Sequence, residues 1–532
     1  MNVSDFLAYH GVTENPFNAE EARHDPVFER LLGDDATHPD FAKILGRIDQ
    51  PSTSIVFGEK GSGKTAIRLL IGRRIAEHNR AVASGQAPDG KRTLLVAYDD
   101  LNPVLDRFVK HRRRLAGDLS DAATEKLLAQ FRLVDHQDAI LSLAVTRLTD
   151  AVLGETGGPG KTDDERVDAG ALSGRGLKRM PRRLRANLAV LAALYDQPAD
   201  GSVTARWQQL RQRLRLGWRL PFNLTKWTGI VLAFAAVGLG VTYAVMGEDR
   251  PAWLIWALIA SAVTGAALLA WWAWKWIALW SLARRIHRET PTIDRTAAEL
   301  QRMLGMLRAT DLAHQPWPIA QAGSDARYDL TRRLLDVLNY LGYGGMIVLV
   351  DRVDEPTLIS GRAERMKSII WPMLDNKFLQ QQAIGVKLLL PIELRYLLQR
   401  EPGDFFQEAR LDKQNMVDRL TWSGATLYDL CSNRLRACRK GQPHGDHPAS
   451  TRPIQLTDLF EEDVSRQLII DALDQMHQPR DAFKFLYAVV QEHCRTVSAD
   501  EASYRIPRLT LETVRRAQAQ RVQELHRGLA PA

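Results

Sequence analysis

Cysteine is nearly absent: Cys431, Cys438 and Cys494 are the only three in 532 residues. They are too few for a disulfide framework and lack metal-ligand spacing, which predicts reduced thiols in a cytoplasmic compartment. An apolar leader is missing as well. Residues 1–28 are polar and carry Asp5, Glu14, Glu20, Glu21 and Asp25, so targeting must fall to an internal segment. No zinc-finger or RNP-like pattern supports specific nucleic-acid binding, and no protein-kinase catalytic-loop signature is visible. What remains is globular on average, with 45% hydrophobic and 25% charged residues, which excludes a collagen-like or fully disordered chain. The length allows three or four domains at about 150 residues each.

The average hides an uneven distribution. Ten of 13 tryptophans lie between Trp207 and Trp280. Residues 175–226 hold 12 Lys/Arg against two Asp/Glu, a local net of +10 in a chain whose total is +8. This charge stands beside two uncharged apolar runs, residues 228–246 and 252–274, of 19 and 23 residues. At 1.5 Å per residue each matches the roughly 30 Å hydrocarbon core of a bilayer. Gly238 and Gly240 would weaken a water-soluble helix but are tolerated in a membrane one. Only residues 247–251 separate the runs, so a tight antiparallel hairpin is expected. Arg211, Arg213, Arg215, Arg219 and Lys226 precede it; Lys275, Arg284, Arg285 and Arg288 follow. The positive-inside rule then puts both flanks in the cytoplasm and the connector, with Glu248, Asp249 and Arg250, outside: a two-pass protein of the inner (cell) membrane with cytoplasmic termini. Neither run contains a charged side chain, which argues against an ion pathway through these two helices.

Ahead of this block, the strand-like Ile55–Phe57 run is followed by Gly58-Glu59-Lys60-Gly61-Ser62-Gly63-Lys64-Thr65 and then, from Ala66, a helical pattern. The match to G-x-x-x-x-G-K-[ST] falls in the strand–loop–helix setting that the chemistry requires. Backbone N–H groups of residues 58–66 can close around phosphates, and the helix directs its N-terminus at them. Lys64 can reach β- and γ-phosphates, and Thr65 can ligate Mg²⁺. A similar stretch at residues 154–162 has Glu155 where the motif needs glycine and reads as linker.

Residues 346–350 (MIVLV) suit a buried parallel strand ending at Asp351-Arg352-Val353-Asp354-Glu355. Ligands of open α/β sheets bind at that edge. Asp351 is the candidate to hold Mg²⁺; Glu355 first, and Asp354 second, is the candidate to activate water. Lys64 and Asp351 are 287 residues apart, whereas two or three βαβ units need roughly 60 to 100. Most of the interval must therefore be insertion, and one sheet is split in sequence around it.

Residues 92–98 and 386–390 read as further core strands, the first ending at Asp99 and Asp100, the second followed by Glu393 and Arg395. Residues 104–111, 125–153, 328–341, 366–374 and 426–439 read as helices. Arg434 is a candidate arginine finger, against a helix-dipole role at a C-terminus. His444 and His447 lie in a Gly/Pro/His-rich loop, residues 441–453, that reads as solvated rather than metal-binding. Residues 464–494 and 510–528 are mainly helical, and Arg480, beside the helix-starting Pro479, can reach a nucleotide.

The expected fold class is α/β: a parallel sheet interrupted by a basic helical insertion and a two-helix transmembrane hairpin, then a helical C-terminal domain. In residue numbers this gives an N-terminal segment (1–48), sheet first half (49–150), basic insertion (151–226), hairpin (227–276), juxtamembrane return (277–325), sheet second half (326–440) and helical end (441–532).

These residues resemble P-loop NTPases, specifically P-loop ATPases of the STAND/AAA-like group. DRVDE at 351–355 is similar to the acidic ending of NACHT-type ATPases, and the hairpin between phosphate loop and acidic strand resembles the KAP family. The KAP pattern has Asp and Arg where this chain has Arg352 and Glu355. HGVTENPF at 10–17 is similar to the start of ExeA-type ATPases; residues 386–391 and Pro479-Arg480 resemble sensor regions of archaeal and Cdc6-like ATPases. The resemblance implies ATP and Mg²⁺ as ligands, hydrolysis, nucleotide-driven homo-oligomerisation, a lipid bilayer and an unidentified cytoplasmic protein as partners. A nucleotide-gated scaffold with little turnover is the alternative.

Overall fold

The computed structural model describes residues 1–17, 22–31, 38–87, 90–113, 121–155, 174–198, 201–216, 223–246, 251–319, 325–439, 453–497 and 503–526. The connector at 247–250, most of the second glycine-rich stretch, and His444 and His447 lie outside them. The chain divides into two compact units: residues 1–100 with 346–532, and residues 101–345.

The first unit is built on a five-stranded parallel sheet. Its strands are β1 (Ser54–Gly58), β2 (Arg92–Tyr98), β3 (Tyr343–Val350), β4 (Ile384–Pro391) and β5 (Asn415–Val417), in the order β2-β3-β4-β1-β5. Ser54 stands opposite Lys387 on one side and Asn415 on the other, and Met346 opposite Ile384. β1, β2 and β4 are buried along their whole length, which is why they read as predominantly apolar runs rather than alternating ones. One face carries Val56, Leu95, Ile347, Leu349 and Leu389 against Ile67, Leu70, Ile71 and Ile75 of the helix Lys64–Ala83. β5 has only three residues, one of them buried, and gives no periodic signal.

Helices Gly424–Ala437, Arg466–Asp474, Pro479–Thr496 and Arg508–His526 make an extensive C-terminal helical region. It shares one apolar core with the beginning of the chain: Phe6, Leu7, Val12, Phe17 and Val27 are buried among Leu427, Leu435, Leu473, Phe485 and Val489. The Thr13 N–H donates to the Cys438 carbonyl at 2.9 Å. Cys431, Cys438 and Cys494 are free and buried in this core.

The second unit is helical. Leu133–Leu153, Arg182–Tyr195, Val203–Arg213 and Asp325–Tyr340 surround a core in which residues 186–195 are buried without interruption. The expected helix over 125–153 is broken: one helix ends at Leu128, and Arg132 starts the next with a capping box to Asp135. Charge is internalised here. Arg327 pairs with Asp138 at 3.0 Å, and the Tyr195 hydroxyl donates to the same carboxylate at 2.8 Å. Arg206, from the basic segment, is consumed by Asp196 at 2.9 Å and Asp150 at 2.5 Å, so that segment is not a uniformly solvated face.

Two helices of this unit, Asn223–Val245 and Ala252–Glu289, are long and apolar enough to cross a membrane. Their most apolar windows have mean hydropathy 1.9 and 2.0 and are only 6% and 11% buried. Phe234, Val241, Val245, Trp256 and Val263 stand more than half exposed, an arrangement costly in water and natural in lipid. The second helix has 38 residues, about 57 Å, and therefore outruns the expected span. The pair is held close by small residues: a Cβ on Gly265 would lie 3.2 Å from the Ala233 nitrogen and the Gly229 carbonyl oxygen.

Candidate functional site

In the parallel sheet the C-terminal ends of β1, β4 and β3 reach one edge, with β4 between the other two. Two strand spacings, about 10 Å, therefore separate Gly58 from the start of the acidic segment. The chain crosses that distance with a loop and a helix. Gly61 and Gly63 take φ values of +94° and +95°, the left-handed region that glycine enters without strain. Gly63 turns directly into the helix Lys64–Ala83. Gly63 offers no capping side chain and no acidic residue occupies the helix's first turn, so the helix itself supplies nothing to offset its partial positive charge there. Ala66 stands half-buried in that turn, and Lys60 is exposed at the tip of the loop.

Thr65 Oγ1 donates to Asp351 Oδ2 at 3.4 Å, between residues 286 apart. Asp351 is 1% exposed, and burial pushes its carboxyl up to about 6 against the opposing pull of the Arg352 N–H and the nearby Lys64 and Arg68. Lys64 Nζ donates to the carbonyls of Gly58 at 2.7 Å and Glu59 at 2.9 Å. Burial lowers its pKa, while Asp351, Asp354, Glu393 and Glu59, in that order, pull it back up. The edge thus gathers the Lys64 ammonium and several carboxylates around a positive helix end.

The loop is also held from outside. Trp422 Nε1 donates to the Ser62 carbonyl at 2.9 Å. Glu59 accepts from Arg419 and from Gln478. A Cβ on Gly61 would lie 2.9 Å from Arg480 Cβ and 3.0 Å from Gln478 Oε1, so the start of the helix Pro479–Thr496 lies against the loop. Ser62 Oγ is buried without a hydrogen-bond partner among the described residues. Such a hydroxyl costs about 1–3 kcal/mol unless a ligand or water meets it.

Of the residues anticipated from the sequence, Gly58, Glu59, Lys60, Gly61, Ser62, Gly63, Lys64, Thr65, Ala66, Asp351 and Arg480 come together at this edge, and Asp354 is within electrostatic reach of Lys64. Glu355 is instead engaged by Arg352, with its side chain 46% exposed. Arg434 requires correction. Its guanidinium is buried in the helical core, 2.5 Å from Asp25 Oδ2, donating to the Pro16 carbonyl at 2.7 Å and lying 4.5 Å over the Phe483 ring. A side chain buried and paired in this way is not available as a finger from this position. Arg395 is likewise paired, with Asp418 at 2.9 Å.

Sequence reasoning missed Arg68, which pairs with Asp99 at 2.7 Å. Its spacing of four from Lys64 puts it on the same helix face, and Asp99 ends a readable strand, so that pair was within reach. Trp422, Arg419 and Gln478 carried no motif. Comparison with protein-family models, curated proteins and solved structures finds no match to this chain.

Proposed function

We propose that this chain is a membrane-anchored P-loop ATPase of the STAND/AAA-like group, resembling the KAP family, whose cytoplasmic part changes shape or assembly as ATP binds and is hydrolysed. The observation that carries the reading is the approach of Thr65 to Asp351 at 3.4 Å at an uncapped helix N-terminus. Nothing in the strand order alone requires a hydroxyl and a carboxylate from such distant stretches to meet there.

The loop N–H groups of residues 58–66 bind the phosphates, and Ser62 Oγ is a donor still in need of a partner. Lys64 leaves the Gly58 and Glu59 carbonyls and places its charge on the transferring phosphoryl group. Mg²⁺ would be held by Thr65 and Asp351, completed by phosphate oxygens and water, and would neutralise charge that develops during transfer. Asp354 is favoured over Glu355 as the group that orients water, because Asp354 acts on Lys64 while Glu355 is held by Arg352. The exposed apolar helices insert in the cell membrane as a two-pass hairpin, and the basic flanks keep both termini cytoplasmic.

The test is steady-state ATP turnover of the detergent-purified protein. Lys64→Ala is expected to lower it by about a hundredfold or more; unchanged turnover would remove the assignment. A nucleotide-gated scaffold is favoured by one observation: Lys64 and Glu59 already have partners within the protein, and those contacts would have to be exchanged before turnover. Nucleotide extracted from the purified protein separates the two. Retained ATP supports the scaffold, whereas ADP with phosphate release supports the ATPase.

A further inference from the structure

The helical unit contains a cavity of about 550 Å³ that shares no residue with the glycine-rich loop. It opens at the start of the helix Arg182–Tyr195, and Arg182, Arg183, Asn187, Gln315 and Arg333 are among the residues that line it. Pro181 precedes this helix; no side chain caps it and its first turn has no acid, so a positive helix end faces the cavity.

The side chains add to that charge. Arg182 is partly answered by Asp311 at 3.3 Å. Arg183 is exposed and has no ion-pair partner among the described residues. Arg333 is half-buried, and its contacts are neutral: Gln315 Oε1 at 2.6 Å, Asn187 Oδ1 at 3.2 Å and the His314 carbonyl. Burial and the like charge of Arg183 push the Arg333 pKa down, against the opposing pull of Asp329 and Asp336. Asn187 is 2% exposed. Its Oδ1 accepts from Arg333 and Gln315, which fixes the amide, and its Nδ2 is left as a buried donor without a partner. Three arginines against one lining acid, Asp311, with an uncapped helix end and an unmet amide donor, make a lining short of negative charge and of acceptors.

We propose that this cavity binds a small phosphoanion, a phosphate ester or pyrophosphate group on a body up to nucleotide size. The volume falls in the range of small-ligand sites. A phosphate offers the dispersed acceptors that guanidinium forks and helix N–H groups fit, and more charge than one carboxylate. The same group is presented by soluble phosphorylated ligands and by anionic lipid headgroups.

The experiment titrates inorganic pyrophosphate calorimetrically into the full-length protein in phosphatidylcholine nanodiscs. A Lys64→Ala background removes the contribution of the glycine-rich loop. Binding is expected, and adding Arg183→Glu should weaken it at least about tenfold, the scale of a lost charge-assisted contact. Arg183 is exposed, so the fold should persist, checked by an unchanged circular-dichroism spectrum. Should that spectrum change, Arg183→Gln is titrated in its place. No binding in the Lys64→Ala background, or equal affinity with and without the Arg183 substitution, overturns the proposal. Phosphatidylglycerol nanodiscs identify the source: retained pyrophosphate binding supports a soluble ligand in the cavity, and competitive loss supports a headgroup there.

Discussion

Lys387 shows most directly how a single side chain sets a condition on the whole sheet. It stands within β4, completely buried, and Nζ has no hydrogen-bond partner among the described residues. Burial alone lowers its pKa from 10.5 to about 7. The folded value is below the unfolded one, so between these limits unfolding takes up a proton. Stability therefore rises with pH through that window, by up to about 1.4 kcal/mol per pH unit. Lys387→Met should make denaturation midpoints flatter across about pH 7 to 9 and raise the midpoint at neutral pH; a variant with the wild-type slope would exclude this account. Asp351 has the opposite character. Its folded pKa, about 6, lies above the unfolded value of 3.8, so the stability it contributes is greatest below the unfolded value and is lost as pH rises toward 6. Asp351→Asn should therefore leave the thermal midpoint at neutral pH equal or higher while lowering Mg²⁺-dependent ATP turnover by about a hundredfold. A folded, fully active variant would remove Asp351 from the proposed metal site.

Elements in this protein meet through glycines where backbones must approach. Gly265 is the clearest case. A larger residue collides with the Ala233 nitrogen and the Gly229 carbonyl of the facing helix, both backbone atoms that cannot swing aside. Gly265→Leu should destabilise the helix pair by about 1–3 kcal/mol, read as a lower thermal midpoint of the detergent-solubilised protein; an unaltered midpoint would mean that the helices do not rest on each other there. The glycine-rich loop is bounded in the same way, by Arg480 and Gln478 over Gly61 and by Trp422 on the Ser62 carbonyl. Its closure is therefore an interaction between β1–helix geometry and the C-terminal helical region, not a property of the loop motif alone.

For the whole molecule, the decisive quantity is apolar surface that the protein itself does not cover. The two long helices leave aromatic and branched side chains exposed along their length, including Trp227, Val231, Trp253 and Trp274. The chain should therefore stay with membranes through a high-salt wash and leave only in detergent; release by salt alone would mean that charge, not insertion, holds it. Orientation has its own test. Cys431, Cys438 and Cys494 are buried, so the native thiols give little background labelling. Asp249→Cys in the connector should react with an impermeant maleimide added to intact spheroplasts, and protection there would reverse the assigned topology.

Features whose cause is local are legible in the residues. Strands buried on both faces are near-continuous apolar runs, so β1, β2, β3 and β4 are readable, and uncharged runs of bilayer length announce themselves by composition alone. The G-x-x-x-x-G-K-[ST] pattern marks the turn into the helix Lys64–Ala83 because glycine takes φ angles near +95° without strain. Three-residue β5 was not readable, because pairing with β1 rather than its own pattern makes it a strand. Partners, by contrast, follow from packing across the fold. Arg434 and Arg480 are both arginines of C-terminal helices, yet burial against Asp25 removes one from the sheet edge and packing on Gly61 brings the other to it. Phe6, Leu7, Val12, Phe17, Val27 and Leu31 join the C-terminal core for the same reason: an apolar side chain records that it must be buried, and the fold alone specifies against what.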